Sequence, residues 1–243
     1  MARELLEKGA DPALEDEQGW TALHWAAQLD HSDVIDMLLS KAPATLYHIA
    51  DGDTTPLFYG ANQGHKNAVS RLLSEGVKNQ RMRHDAPAAG GGGGEDVVPV
   101  QVDEEMKSIW TSVAIPSAIG TAAANGYARI LQMLLAVEGE EKQEHWAKSG
   151  FAGYLALHNA VRQGQLAATS VLLAAGADER TRCDGKTASE AAESQMPFAA
   201  NGPAIQRATI RMLARGPAFR ARSWAWPART TSGAGGGVAE VGA

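Results

Sequence analysis

Two histidines occupy equivalent places in two similar stretches of this chain, and histidine is the side chain best suited to proton transfer near neutral pH. His24 belongs to TALHWAAQLDHSDVIDMLL, and His158 belongs to LALHNAVRQGQLAATSVLL. A catalytic imidazole needs a nucleophile and an orienting carboxylate at fixed places beside it. Neither stretch keeps such a pair, and two further copies of the pattern carry Phe58 and Gly120 in the same slot. We therefore predict a structural role for both histidines and no catalytic residues.

The other residues that could support chemistry lack the spacing that a site requires. No two histidines lie one helical turn apart, and the single cysteine, Cys183, cannot form a thiolate cluster or an internal disulfide. The DGKT sequence at residues 184–187 is similar to the end of a phosphate-binding loop, but Arg180 stands where that loop needs a glycine. The five glycines at residues 90–94 lack the spaced pattern of a dinucleotide site. The sequence predicts no metal site and no cofactor.

The elements that would position these residues recur along the chain. Paired apolar residues are spaced at first by 33 and 34 residues, at Leu5-Leu6, Leu38-Leu39, Leu72-Leu73, Leu134-Leu135, Leu172-Leu173 and Met212-Leu213. Each of four full units has a helix-opening residue and a helix-stopping residue nine positions later: Thr21 with Asp30, Thr55 with Gly64, Ser117 with Gly126, and Leu155 with Gly164. A second apolar helix and a turn complete each unit. This pattern predicts an all-α chain of helix pairs.

The four units read GWTALHWAAQLDH, TTPLFYGANQGH, PSAIGTAAANGY and YLALHNAVRQGQ, each followed by its leucine-pair helix. The chain therefore resembles the ankyrin repeat family. The resemblance implies a solenoid of antiparallel helix pairs with finger turns between repeats. It also implies that His24 and His158 bond to backbone groups and tie the turn of a repeat to its helix.

Elementary chemistry explains the motif residues. The hydroxyls of Thr21 and Thr55 suit the start of a helix, and Pro56 suits the first helical position because its missing N–H would be unpaired there. Three glycines are expected to end first helices in the left-handed conformation: Gly64, Gly126 and Gly164. Asp30 replaces this glycine in the first full unit, since aspartate tolerates that conformation better than most residues.

Changes in composition divide the chain into four segments. Residues 1–79 are predicted to hold an N-terminal half-repeat and two repeats, and residues 80–108 a flexible, glycine-rich, acidic insertion. Residues 109–216 are predicted to hold two repeats and a degenerate capping repeat, and residues 217–243 a disordered basic and glycine-rich tail. The half-repeat lacks its first helix. We expect a monomer, with self-association through this uncapped N-terminus as the alternative.

The net charge of −6 conceals an asymmetry along the chain. Residues 207–243 contain six arginines and one glutamate, whereas the preceding residues contain 16 lysines and arginines against 27 aspartates and glutamates. An acidic body argues against nucleic-acid binding and favours a partner protein with a basic patch. The sequence contains no apolar run of membrane-spanning length, which argues against membrane insertion and for a cytoplasmic or nuclear protein.

The resemblance implies a non-catalytic module that binds a partner protein on a concave surface of finger turns and first helices. The residues predicted to face this surface are Trp20, Trp25, Gln28, Thr54, Tyr59, Asn62, Tyr154, Asn159 and Arg162. The other interpretation of Trp20 and Trp25 is packing between neighbouring repeats. Two alternatives for function stay open: a segment of a larger enzyme, channel or signalling protein, and a nucleic-acid-associated factor that uses Trp224 and Trp226 in its basic tail.

Overall fold

The structure, a computed structural model, describes residues 1–52, 54–81, 104–137, 150–195 and 202–214. These residues form twelve α-helices: α1 Ala2–Glu7, α2 Ala22–Gln28, α3 Ser32–Lys41, α4 Pro56–Gln63, α5 Lys66–Arg81, α6 Glu104–Ile109, α7 Ile115–Ala124, α8 Ala128–Ala136, α9 Gly150–Arg162, α10 Leu166–Ala174, α11 Ala188–Gln195 and α12 Gly202–Ala214. A 3-10 helix, Pro43–Tyr47, follows α3, and a π-helical segment, Trp110–Ala114, joins α6 to α7.

The helices stack in two rows. The first-helix row contains α2, α4, α7, α9 and α11, and each of these helices contacts the next. The second-helix row contains α1, α3, α5, α8, α10 and α12, which also contact one another in that order. Within each repeat the two helices pack together, as in α2 with α3 and α4 with α5. The predicted all-α solenoid of helix pairs is confirmed.

The recurring apolar residues fill the space between the two rows. Leu23, Leu57 and Leu157 of the first helices are fully buried. The leucine pairs of the second helices are buried as well, at positions 38–39, 72–73, 134–135 and 172–173. Small residues such as Ala27 and Ala61 lie in the same core, where they allow the helices to approach closely. Burial of this apolar surface is the main force that holds the repeats together.

Turns between the helices use the backbone conformations that the sequence predicts. Gly64, Gly126 and Gly164 have φ values of 82°, 77° and 70°. Asp30 has a φ of 56° at the same place in the first full unit. Short β-bridges, Ala50 with Thr54 and Cys183 with Lys186, close two of the finger turns. The first of these turns lies directly before the N-cap of α4, and the second lies just before α11.

Described helices extend into both ends of the predicted insertion, residues 80–108. Helix α5 continues to Arg81, and helix α6 begins at Glu104, so residues 104–108 are helical. From Glu104 the helix continues through the π-helical segment into α7, which places Ser117 inside a helix and not at its start. The physical reason is packing: Trp110 is fully buried, and Met106 and Ile109 pack against the core.

The start predicted for the fourth unit also differs from the structure. Helix α9 begins at Gly150, so Leu155 lies inside it. The central part of the predicted insertion, residues 82–103, lies outside the described residues, as does the predicted tail, residues 217–243.

Candidate binding surface

Three aromatic side chains from two neighbouring repeats form one cluster, which we call the aromatic patch. Trp20 precedes α2, Trp25 lies on α2, and Tyr59 lies on α4. The ring centroids of Trp20 and Trp25 are 4.7 Å apart, and those of Trp20 and Tyr59 are 4.1 Å apart. Trp20 and Tyr59 are half-buried, whereas Trp25 is 46% exposed. Trp20 therefore packs between repeats while its neighbour Trp25 presents its ring to solvent.

A short loop before α2 fixes the two tryptophans. One carboxylate oxygen of Asp16 accepts hydrogen bonds from the backbone amides of Gln18 and Trp20, at 3.0 and 2.9 Å. The other oxygen accepts a hydrogen bond from the indole Nε1 of Trp25 at 2.9 Å. The backbone amide of Asp16 donates in turn to the carbonyl of Trp20 at 2.9 Å. One carboxylate thus sets both the loop backbone and the orientation of the Trp25 ring.

Tyr59 is held by the next finger turn. Its hydroxyl lies 3.2 Å from Oγ1 of Thr54, which donates to the carbonyl of Asp51 at 3.1 Å. Because the Thr54 hydroxyl has only one hydrogen, the Tyr59 hydroxyl donates to Thr54. Phe58 and Tyr59 pack edge to face, with their ring centroids 5.2 Å apart. The aromatic patch is therefore restrained on both of its contributing repeats.

His24 lies beneath the patch and is fully buried. Its Nδ1 faces both the amide of Thr21, at 3.2 Å, and the Thr21 hydroxyl, at 3.0 Å. Since Nδ1 accepts the amide hydrogen, the ring hydrogen is on Nε2, which is buried. Burial lowers the pKa of His24 to about 4, with a further decrease from His48, against opposing effects of Thr54 and Asp16. His24 is therefore neutral at physiological pH.

His158 makes a long-range contact near the end of the array. Its Nε2 lies 3.1 Å from the carbonyl of Lys186, the residue before Thr187 in the next unit. Thr187 and Glu190 form a reciprocal cap on α11: the amide of Thr187 donates to the Glu190 carboxylate at 2.7 Å, and the amide of Glu190 donates to the Thr187 hydroxyl at 3.3 Å. The DGKT sequence is thus a finger turn followed by a helix cap.

Two predicted contact residues are engaged inside the solenoid. The side-chain oxygen of Asn62 accepts hydrogen bonds from Thr121, at 2.7 Å, and from Asn125, at 3.0 Å, both in the next repeat. Gln28 is half-buried, and its side-chain amide oxygen is turned inward. The backbone carbonyl of Gln28 accepts a hydrogen bond from His65 at 2.9 Å. These two residues stabilise junctions between repeats.

The remaining predicted contact residues lie apart from the aromatic patch. Asn159 and Arg162 are on α9, which is separated from α4 by α7 in the first-helix row. Arg162 is exposed and Asn159 is half-buried. The side chain of Tyr154 lies outside the described residues. The structure therefore brings together Trp20, Trp25, Thr54 and Tyr59.

Capping residues and glycines organise the frame of this surface. The hydroxyl of Thr55 accepts a hydrogen bond from the amide of Phe58 at 3.3 Å, and Pro56 is the first residue of α4. A Cβ at Gly64 would lie 2.7 Å from the ring of Tyr127, and a Cβ at Gly126 would overlap the side chain of Gln165. Each of these glycines therefore leaves room for a side chain of the following repeat.

Two surface residues that sequence reasoning missed belong with the aromatic patch. Leu29 is 55% exposed and lies four residues after Trp25, so both present apolar surface along α2. Asp16 is the carboxylate that holds the loop and the indole of Trp25. The four-residue spacing of Trp25 and Leu29 indicates that the two side chains share one face of the helix, so Leu29 could be found from the sequence. The indole bond of Asp16 depends on loop geometry and had no sequence signal.

Elsewhere in the described ranges the chain presents few groups suited to chemistry. Burial and the neighbouring Asp184 raise the pKa of the Cys183 thiol, which disfavours the reactive thiolate. Within the same ranges no group of three histidine, cysteine or acidic side chains is placed to hold a metal ion. None of the helices described is both long and apolar enough to cross a membrane.

The N-terminal third of the chain is similar to known proteins. Residues 1–83 match the family model for ankyrin repeats, in three copies. The palmitoyltransferase ZDHHC17 of Homo sapiens is 35% identical over 75 residues, which are 31% of this chain and 12% of that protein. The ankyrin repeat protein nuc-2 of Neurospora crassa is 34% identical over 73 residues, 30% of this chain and 7% of that protein. The chain thus spans only a small part of these relatives.

A solved structure supports the fold over most of the chain. An ankyrin repeat domain from Acinetobacter baumannii AYE superimposes with a TM-score of 0.56, covering 88% of this chain and 90% of that one. The two sequences are 18% identical. This similarity concerns the architecture of stacked helix pairs.

Proposed function

We propose that this chain, whose residues 1–83 match the ankyrin-repeat family model, is a non-catalytic recognition module that binds another protein through the first-helix row. The aromatic patch of Trp20, Trp25 and Tyr59 is the centre of the proposed binding surface. The observation that carries the proposal is the 46% exposure of Trp25, whose ring packs on Trp20 and whose indole nitrogen is bonded to Asp16. A large apolar ring left in water at the edge of a packed cluster gains free energy when a partner covers it.

The preorganisation of the patch favours binding energetically. Tryptophan and tyrosine are among the residues that most often dominate protein interfaces, because each buries a large rigid surface and keeps a polar group. The indole of Trp25 is fixed by Asp16, and Tyr59 is fixed by Thr54. A side chain that is already held loses little conformational entropy on binding. Leu29 extends the exposed apolar surface by one helical turn.

The histidines support a structural and not a catalytic role. His24 is buried, is neutral at physiological pH and contacts Thr21, and His158 contacts the carbonyl of Lys186. A general acid or base needs access to a substrate proton and a pKa near the working pH. His24 has neither property, so we infer that these imidazoles connect repeats.

An affinity experiment with matched baits tests the proposal. Wild-type protein, Trp25→Ala and Arg71→Ala are immobilised and exposed to an extract of the source cells, and captured proteins are quantified by mass spectrometry. Arg71 is an exposed residue of α5 in the second-helix row, where it pairs with Asp36 across 3.4 Å. A partner retained by wild type and Arg71→Ala but depleted with Trp25→Ala supports the proposal. Equal capture by all three baits would contradict it.

The curated relatives favour a second candidate function. They include palmitoyltransferases from Homo sapiens and Drosophila melanogaster, in which the similar segment is 12% of the protein. We propose as the alternative that the repeats recruit partners for a larger enzyme or signalling protein. An antibody against these repeats tests this by the size of the native protein that it detects. A band near 25.6 kDa would contradict the alternative.

A further inference from the structure

A carboxylate lies at the edge of the most exposed ring of the aromatic patch. Asp16 Oδ2 accepts a hydrogen bond from the indole Nε1 of Trp25 at 2.9 Å. Asp16 Oδ1 accepts hydrogen bonds from the backbone amides of Gln18 and Trp20. A carboxylate oxygen has two acceptor directions, so Oδ1 is fully used while Oδ2 can accept one more hydrogen bond. Asp16 is exposed, so this second direction is open to a donor from outside.

The surroundings of the patch are strongly acidic. Residues 9–65 contain nine aspartates and glutamates, whereas Lys41 is the only lysine or arginine among them. Lys41 ends α3, in the second-helix row. Glu15 and Glu17 flank Asp16 and are exposed. An approaching cation therefore meets several carboxylates and no cation of this chain on the loop that carries Asp16.

We propose that Trp25 and Asp16 together bind the guanidinium group of an arginine in a basic segment of the partner protein. The flat cation stacks on the exposed face of the Trp25 ring, and one of its N–H groups donates to Asp16 Oδ2. This inference rests on the proposed function and names the chemistry that the aromatic patch recognises. It also explains why an acidic surface carries a tryptophan that is nearly half exposed.

Arginine fits this pair better than lysine. A guanidinium is planar, stacks on an indole face and directs several N–H groups sideways to a carboxylate at the ring edge. A lysine ammonium is a compact, strongly hydrated charge that loses more hydration on the ring. Asp16 stays charged at physiological pH: desolvation opposes ionisation, but hydrogen bonds from Trp20, Trp25 and Gln18 hold its pKa below the ordinary value.

A peptide titration monitored by NMR tests the inference on the full chain. The probe is a blocked pentapeptide with two arginines between glycines, compared with lysine and citrulline versions of the same peptide. Trp25→Phe identifies the indole resonance of Trp25 by its loss. We expect the arginine peptide to shift this resonance in a saturable way, and the neutral citrulline peptide to bind at least about tenfold more weakly.

Three variants separate the parts of the proposed site. Asp16→Asn and Trp25→Leu should each weaken binding of the arginine peptide by roughly tenfold. Asp33→Asn removes the same charge from an exposed position on α3 and should change the affinity by less than about twofold, since distant surface charges are screened. Unchanged melting temperatures show that the variants stay folded.

Several outcomes would overturn the inference. Equal binding of the arginine and citrulline peptides would exclude a charge-based site, and equal binding of the lysine peptide would exclude selection for a guanidinium. An unshifted Trp25 resonance at millimolar peptide would also contradict it. If a partner depends on Trp25 but not on Asp16, the proposed function stands and this inference fails. If no partner depends on Trp25, both fail.

Discussion

His24 and His158 occupy the same slot of their repeats but meet different neighbours. The Nδ1 of His24 contacts Thr21, and the His24 ring lies edge-on to that of His48 with centroids 5.6 Å apart. His158 reaches the carbonyl of Lys186 in the following unit. The sequence predicted a structural role for both residues from the missing catalytic neighbours. It did not predict the aromatic surroundings of His24, because these depend on packing across two repeats.

The buried, neutral His24 should make the stability of the protein depend on pH. Its pKa is about 4 in the folded protein, against 6.5 for an ordinary histidine. Between these values the unfolded chain binds more protons, so the free energy of unfolding falls as the pH falls from 6.5 to 4, by about 3 kcal/mol. Urea denaturation across this range measures the effect.

A glutamine substitution isolates the contribution of His24. His24→Gln lowers stability overall but should flatten the decrease between pH 6.5 and 4, since the titrating group is gone. His31→Gln is the matched change at an exposed position and should keep the wild-type slope. An identical slope in His24→Gln and wild type would show that His24 does not titrate as described.

Two glycines provide a contrasting test at the residue scale. Gly64 has a φ of 82°, and a Cβ there would lie 2.7 Å from the ring of Tyr127. Gly120 lies inside α7, and a Cβ there would have no atom within 4 Å. Gly64→Ala should destabilise the protein by about 1–3 kcal/mol, whereas Gly120→Ala should stabilise it by about 0.5–1 kcal/mol. Thermal melting distinguishes these signs, and destabilisation by both changes to the same extent would contradict the account.

At the scale of elements, the sequence predicts the helices whose start and end are marked by nearby residues. Short helices with a cap, a leucine pair and a stopping glycine were predictable from sequence because each signal acts within a few residues. The helical turn at Glu104–Ile109 was not, since its sequence is polar and follows a glycine-rich stretch. That turn is stabilised because Met106 packs against the core. It also runs directly into the π-helical segment, whose first residue, Trp110, is fully buried. The π-helical segment also shifts the residues of α7 around the helix axis relative to a regular α-helix, and the repeat spacing does not predict this shift.

The helical residues at both ends of the predicted insertion lead to a test on two shortened proteins. Replacing residues 82–103 with a short glycine-serine linker should leave cooperative melting intact, since the sequence predicts a flexible insertion there and the length of such a segment affects stability only weakly. Replacing residues 80–108 instead removes the end of α5 and five of the six residues of α6, including Met106, and should lower the melting temperature measurably. Circular dichroism melts compare the two. Equal melting temperatures would mean that residues 104–108 add no stability.

At the scale of the whole molecule, the stacked repeats are not equally well covered. Helix α1 has no buried residue, and Leu5 is 51% exposed. In contrast, Leu131 and Leu134 of α8 are buried between both rows. In a solenoid each repeat is stabilised by its neighbours, so the element with the fewest contacts opens most easily.

Hydrogen exchange should reveal this gradient directly. Amides of residues 3–9 should exchange much faster than those of residues 130–136, because opening α1 exposes little additional apolar surface. Mass spectrometry after exchange in D₂O measures both segments in one experiment. Similar protection of the two segments would show that α1 is as well stabilised as the central repeats.

The central claim is that the first-helix row binds a protein partner through the aromatic patch. Tyr59 is half-buried against Trp20, so its removal also affects packing, whereas Trp25 is the exposed member and gives the cleaner test. The most direct measurement is the calorimetric affinity of the purified partner for wild type, Trp25→Ala and the second-helix-row control Arg71→Ala. We expect Trp25→Ala to lose about 1–4 kcal/mol of binding free energy with its melting temperature nearly unchanged, and Arg71→Ala to bind as wild type. Wild-type affinity in Trp25→Ala, or an equal loss in Arg71→Ala, would contradict the claim.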